Sequence, residues 1–271
     1  TLLALTAIWI FSLLLKYIYI KGTNFIDNHL KSFWCWMNKH PRLNAVAELI
    51  SNPKHPHDHS QITLLLTALF FFISFIIIAI SAHNRGIVTL WDKQVFYFLQ
   101  SIRLPITDIV LMMFTYIADK KNIMVLLFGI FFYLLYKEKK WEAIHWLSNG
   151  IFSALSVYAL KIFINLPRPT GLIQIRHGSS FPSGHTTFSI AVFGFLFYLI
   201  AKNTSKEMRR FIYIPGALLL FFIAFSRLYL GMHWLSDVIG SVFLSSSILF
   251  IHILSYKRSE IEKNNIKKVM A

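Results

Sequence analysis
The chain is 271 residues long, 56% hydrophobic and 16% aromatic but only 14% charged, where ordinary soluble domains carry about 25% charged residues; this excludes a water-soluble globule and indicates a membrane protein. Its formal net charge of +15 does not indicate nucleic acid, because the basic residues flank apolar runs and form no continuous patch; anionic lipid headgroups fit that pattern as partners. Cys35 is the one cysteine, which excludes an internal disulfide and leaves the redox compartment unread.

A hydrocarbon core about 30 Å thick takes roughly 20 mostly apolar helical residues. Runs near that length predict spans at 1–20, 62–82, 122–136, 142–164, 186–201, 211–226 and 234–256. The first run has neither a cationic start nor a small-residue cleavage site, so it reads as a span and not as a signal peptide. Residues 21–61 follow as a basic linker broken by Pro41, Pro53 and Pro56, and the membrane domain is expected to begin near Ser60. His55, His57 and His59 alternate in this linker; imidazoles bind zinc, but alternation beside proline reads as solvated chain, and no metal site is assigned.

Between 87 and 118, Trp91, Val95, Phe96, Phe98 and Leu99 alternate with Asp92, Lys93, Gln94, Gln100 and Arg103, and Pro105 breaks the run. The pattern predicts two interfacial helices on the outer surface. Span 122–136 is short, and is expected either to borrow turns from Met112 to Ala118 or to lie where the protein is thin. Trp91, Tyr97, Trp141, Trp146 and Trp234 fall near predicted span ends, where amphipathic rings anchor helices at the headgroup level. The fold class is therefore an all-α polytopic membrane bundle with outer interfacial helices. Residues 257–271 form a basic tail, and there is no internal repeat.

Lysine and arginine set the orientation, because short basic loops stay in the cytoplasm. Seventeen of these residues lie in one alternate set of loops, which includes 21–61 and the tail, and eight lie in the other. Loops 83–121, 165–183 and 227–233 are thereby expected outside. A bacterial inner membrane is the expected location, with these loops facing the periplasm or exterior.

An ionisable residue at membrane depth costs several kcal/mol unless paired or hydrated, and three clusters on the outer side need explaining. Lys161 and Arg168 are seven residues apart, nearly two helical turns, so both turn towards one side of a helix that Pro167 and Pro169 end. Two cations with no acid between them suit an anion. Phe181-Pro-Ser183-Gly184-His185 stands directly before an apolar run, so its unpaired N–H groups and helix dipole suit phosphate, with Ser183 as a further donor. In Ser226-Arg227 to His233 to Asp237 the last two are four apart and share a helix face. A carboxylate on one imidazole nitrogen fixes the tautomer and directs the other lone pair outward, as a nucleophilic histidine needs; taken singly the pair reads more readily as a buried histidine satisfied by Asp237, a reading that weakens sharply in company with the other clusters.

Taken together, Lys-x6-Arg-Pro, Pro-Ser-Gly-His and Ser-Arg-x5-His-x3-Asp, in that order, resemble the signature of the type 2 phosphatidic acid phosphatases. The resemblance covers about 62–256 and implies six core helices. It implies that His233 attacks phosphorus and becomes phosphorylated, that Asp237 holds it, and that His185 protonates the leaving group. Lys161, Arg168, Ser183, the Gly184 N–H and Arg227 then hold the phosphate oxygens, with no metal or other cofactor. Phosphatidate, phosphatidylglycerol phosphate and polyprenyl diphosphates are the implied substrates. Span 1–20 with its proline-punctuated linker is similar to chains in which a DedA-type membrane domain precedes the phosphatase.

Three other functions use parts of the same evidence. A phosphotransferase with the same residues differs only in its acceptor. The vanadate-dependent haloperoxidases carry a similar constellation on soluble proteins, which the apolar spans argue against. A transporter needs polar groups along a path through the bilayer, whereas here they collect at one face; a non-catalytic scaffold is at odds with intact motifs.

Overall fold
The computed structural model describes residues 60–84, 86–169 and 178–269, with a few positions between 32 and 40. Contacts divide the chain into two units, residues 1–63 and 64–271. The expected span 1–20, almost all of the linker with its three histidines, and the stretch 170–177 lie outside the described residues.

Among the described residues from Ser60 onward, eight helices follow one another: α1 (Ser60–His83), α2 (Ile87–Ser101), α3 (Pro105–Ile117), α4 (Lys120–Tyr136), α5 (Lys140–Ile164), α6 (Gly184–Ala201), α7 (Lys206–Tyr229) and α8 (Leu235–Val269). Five of them, α1 and α5 to α8, are long and apolar enough to cross a membrane. The sixth expected core helix, α4, has 17 residues, about 25 Å at 1.5 Å per residue. It does not borrow turns from the preceding segment: α3 ends at Ile117, and Asp119 caps α4 by accepting from the Lys121 N–H. α8 runs well past the expected end at 256, so the basic tail continues the helix.

Large apolar side chains on the outer faces stay uncovered, among them Phe70, Ile73 and Ile77 on α1 and Phe211, Ile214 and Phe221 on α7. Lipid tails are the solvent that suits such faces. Inside, α6 packs on α5, α7 and α8, and small polar groups fill the contacts, as in membrane bundles generally. The Asn149 amide donates to the Ala191 carbonyl at 2.7 Å, and Ser245 Oγ bonds back to the Ser241 carbonyl at 2.5 Å.

Trp146 is a correction to the set of expected interfacial anchors. It is 1% exposed and packs among Leu127, Phe195 and Tyr256, its indole N–H donating to the Leu127 carbonyl at 2.7 Å. The reason is helical phase: it lies nearly two turns inside α5 on the face towards α4 and α6, and Trp141 is the exposed residue near that end.

Consecutive long helices run antiparallel, so the end of α5, the start of α6, the end of α7 and the start of α8 meet at one end. At the other end Lys202 closes the bundle through Glu142 at 3.3 Å, Glu260 at 3.5 Å and the Tyr256 hydroxyl. The short helices α2 and α3 cover the first end. Arg103 holds their corner through two 2.8 Å bonds to Asp108, and Leu99, Leu111, Tyr229 and Leu230 form an apolar cluster beneath.

Candidate active site
Each element of the site starts from a local break in a helix. α5 stops at Asn165, which adopts the left-handed region (φ 42°, ψ 53°) and returns its N–H to the Lys161 carbonyl, and the prolines beyond cannot extend it. α7 stops before Gly231, whose φ of 65° favours glycine. The N–H groups of Met232 and His233 then both fold back onto the Arg227 carbonyl, at 3.0 and 3.2 Å. Phe181, fully buried, packs against Phe75 and lies over Gly240. A Cβ at 240 would come within 2.6 Å of that ring, so the missing side chain is what lets Phe181 set the start of α6 beside α8.

These breaks bring His233 and Asp237 together as their spacing predicts. His233 Nδ1 lies 3.1 Å from Asp237 Oδ2, and Asp237 also accepts from the Trp234 N–H at 2.9 Å and the Ser180 hydroxyl at 3.1 Å. Arg168 Nη1 lies 3.1 Å from His233 Nε2. A guanidinium can only donate, so Nε2 is the accepting nitrogen and Nδ1 carries the hydrogen given to Asp237. The lone pair of Nε2 therefore points at a cation. Burial lowers the His233 pKa well below the usual 6.5, and the charges of Arg227, Arg168 and Lys161 lower it further; both disfavour a proton on the ring.

The cations are fixed by backbone carbonyls. Lys161 Nζ donates to the Ser179 and Ser180 carbonyls at 2.6 and 3.3 Å, and Arg168 donates to Gly178, Ser179 and Met232 carbonyls. Arg227 is fully buried, with Thr115 Oγ1 at 3.3 Å and Met232 Sδ at 3.1 Å from its guanidinium nitrogens. Ser183 is the N-cap residue of α6 yet makes no side-chain cap bond; its Oγ accepts from Thr186 at 3.2 Å, and its N–H reaches the Asp237 carbonyl at 3.4 Å. Gly184 and His185 open α6, so their N–H groups belong to the turn that lacks intrahelical acceptors. A Cβ at Gly184 would meet nothing closer than 3.6 Å, so neighbouring protein does not demand glycine there.

His185 faces a partner absent from the sequence argument. Its Nε2 lies 3.7 Å from Asp119 Oδ1, the cap of α4, a carboxylate that pairs with the ring when it carries a proton. Ser180 and Thr115 were also missed. Asp92 is a correction: expected on the polar face of an interfacial helix, it is 5% exposed and accepts from both the N–H and the hydroxyl of Ser236, each at 2.7 Å. α2 lies against the start of α8, so the carboxylate caps from outside the helix that begins beside His233. Burial raises its pKa, and the bonds from Ser236 oppose that rise. Nothing in local spacing signals either carboxylate, because their partners are brought in by tertiary packing.

Residues 142–260 match the family model of the PAP2 superfamily. Phosphatidylglycerophosphatase B of Bacillus subtilis strain 168 is 26% identical over 187 residues, 66% of this chain and 90% of the relative. The crystal structure of a transmembrane PAP2 type phosphatidylglycerolphosphate phosphatase from Bacillus subtilis superposes with a TM-score of 0.64 at 24% identity, covering 69% of this chain and 94% of that one. The residues of all three clusters, from Lys161 to Asp237, fall inside the matched region. Over residues 142–260 the chain is thus similar to the PAP2 superfamily, with five helices among the described residues long and apolar enough to cross a membrane and its likeness running to membrane phosphatases.

Proposed function
We propose that this protein hydrolyses a lipid phosphate, as a monoester or diphosphate, through a phosphohistidine at His233, on the outer face of the membrane. The observation that carries the reading is the line from Asp237 through His233 to Arg168, with 3.1 Å at each junction. Nε2 forms the N–P bond while the P–O bond to the leaving alkoxide or phosphate breaks, and His185 gives that oxygen its proton. The imidazolium charge is balanced by Asp237. His185, now neutral, takes a proton from water; the resulting P–O bond displaces Nε2 and releases inorganic phosphate.

Lys161, Arg168, Arg227, Ser183 and the Gly184 N–H are placed to bear the oxygens as charge shifts between them, the role that fixed cations and helix N-termini serve in phosphoryl transfer. A lipid substrate is supported by the uncovered apolar helix faces and by the Bacillus subtilis relative, which is named for a phosphatidylglycerophosphate.

The test is phosphate release in detergent from phosphatidate, phosphatidylglycerol phosphate and a polyprenyl diphosphate, with EDTA present. Parent protein is expected to release phosphate, His233→Ala none, and Asp237→Asn a reduced amount with KM little changed. Equal and mild losses in both variants would sink the nucleophile assignment.

A further inference from the structure
Near the candidate site lies a cavity of about 410 Å³, between the end of α1, α2, the turn after α5 and the start of α8. That volume is in the range of small-ligand sites. Three of its lining residues are chain neighbours of the site: Pro167 precedes Arg168, Trp234 follows His233, and Ser236 precedes Asp237. The Trp234 indole N–H donates to the Pro167 carbonyl at 2.8 Å, so the two flanks are joined.

The charges lining the cavity are Asp92 and Lys93. Asp92 is turned into the protein and engaged by Ser236 through its two 2.7 Å bonds. Lys93, on the next position of α2, forms no ion pair among the described residues. The cavity therefore offers one unmatched cation on a helix that is itself bonded to the turn carrying His233. Leu90, Leu166 and Trp234 supply apolar wall between them.

From this placement we infer that the cavity is a subsite for a second anionic phosphate of the substrate, with Lys93 as its specificity-determining residue. The inference rests on the phosphatase reading above and narrows its substrate class: lipids bearing a further phosphate beside the scissile one are favoured over phosphatidate, which has a single phosphate and leaves Lys93 unmatched. A phosphodiester held one glycerol away and the inner phosphate of a diphosphate share this chemistry, and differ in reach.

The experiment is steady-state kinetics in detergent micelles with phosphatidate, phosphatidylglycerol phosphate and a polyprenyl diphosphate, on parent, Lys93→Gln and Lys93→Arg. Loss of an exposed ion pair corresponds to about two- to fivefold. Lys93→Gln is expected to lower kcat/KM for a two-phosphate lipid by that factor more than for phosphatidate, mainly through KM, and Lys93→Arg to restore the ratio. Whichever two-phosphate lipid shows the larger loss identifies the reach of the subsite. An unchanged ratio, or equal losses on every lipid, overturns the subsite while parent turnover leaves the phosphatase reading standing. Absence of turnover in the parent on all three overturns that reading, and the subsite with it.

Discussion
His233 combines two demands that usually conflict. A nucleophilic imidazole must be neutral, yet it must sit among cations that hold phosphate. Here the conflict disappears, because burial and the three neighbouring cations all act to keep a proton off the ring. For a histidine whose folded pKa is depressed, the sign is definite. The unfolded chain takes up a proton near pH 6.5 and the folded chain does not, so the fold loses stability as pH drops below about 6.5 towards the folded value. The acid limb of kcat/KM, which reports the free enzyme, is expected well below pH 6.5 once the substrate's own phosphate ionisation is divided out. A limb centred at 6.5 or above would show that the ring is not held neutral. Much at this scale was legible in the sequence. His233 and Asp237 are one helical turn apart, and Lys161 and Arg168 two, so helix geometry alone puts each pair on one side. Asp119 beside His185 was not legible, since it is the cap of a helix packed against α6 and shares no local spacing with it.

Among elements, the junction of α2 with α8 matters most for chemistry. α8 begins immediately after the His233 turn, and its first N–H groups need acceptors that the helix cannot supply. Asp237 takes the Trp234 N–H from within, while Asp92 takes the Ser236 N–H from α2, 144 residues earlier in the chain. Under the proposed function Asp92 would be a positioning residue, acting on His233 through the helix start. Removing a buried acceptor of two bonds costs about 1–3 kcal/mol. Asp92→Ala is therefore expected to lower the melting temperature and to reduce kcat about tenfold or more, while Asp92→Asn, which keeps one acceptor oxygen for the Ser236 N–H, recovers most of the kcat. Loss of stability without any change in kcat would make the contact purely structural. The amphipathic pattern did reveal α2 and α3 as two helices broken at Pro105. It could not reveal that α2 turns Asp92 inward, because period and composition are the same whether a polar face meets water or an uncapped helix. Trp146 shows the same limit from the apolar side: position near a span end suggests an anchor, and only the packing of α4 and α6 decides that it is core.

At the scale of the whole molecule, antiparallel helices sort the chain into two chemically different ends. One holds the imidazole, its cations and the cover of α2 and α3; the other holds the Lys202 network with Glu142 and Glu260. The helix α7, 24 residues long, separates them by about 36 Å, enough to span the hydrocarbon. The bias of lysine and arginine towards loops at the Lys202 end argues that this end is cytoplasmic, and the proposed function accordingly has phosphate released outside. Two exposed polar positions report on this directly, Gln94 on α2 at the site end and Glu207 at the start of α7 at the other. In a Cys35→Ser background, a single cysteine at either position can be challenged with a membrane-impermeant maleimide in spheroplasts. Gln94→Cys is expected to label without lysis and Glu207→Cys only after it. The reverse pattern would turn the active site to the cytoplasm, and the substrate would then have to be drawn from the inner leaflet, since the anionic headgroup does not cross the core unaided.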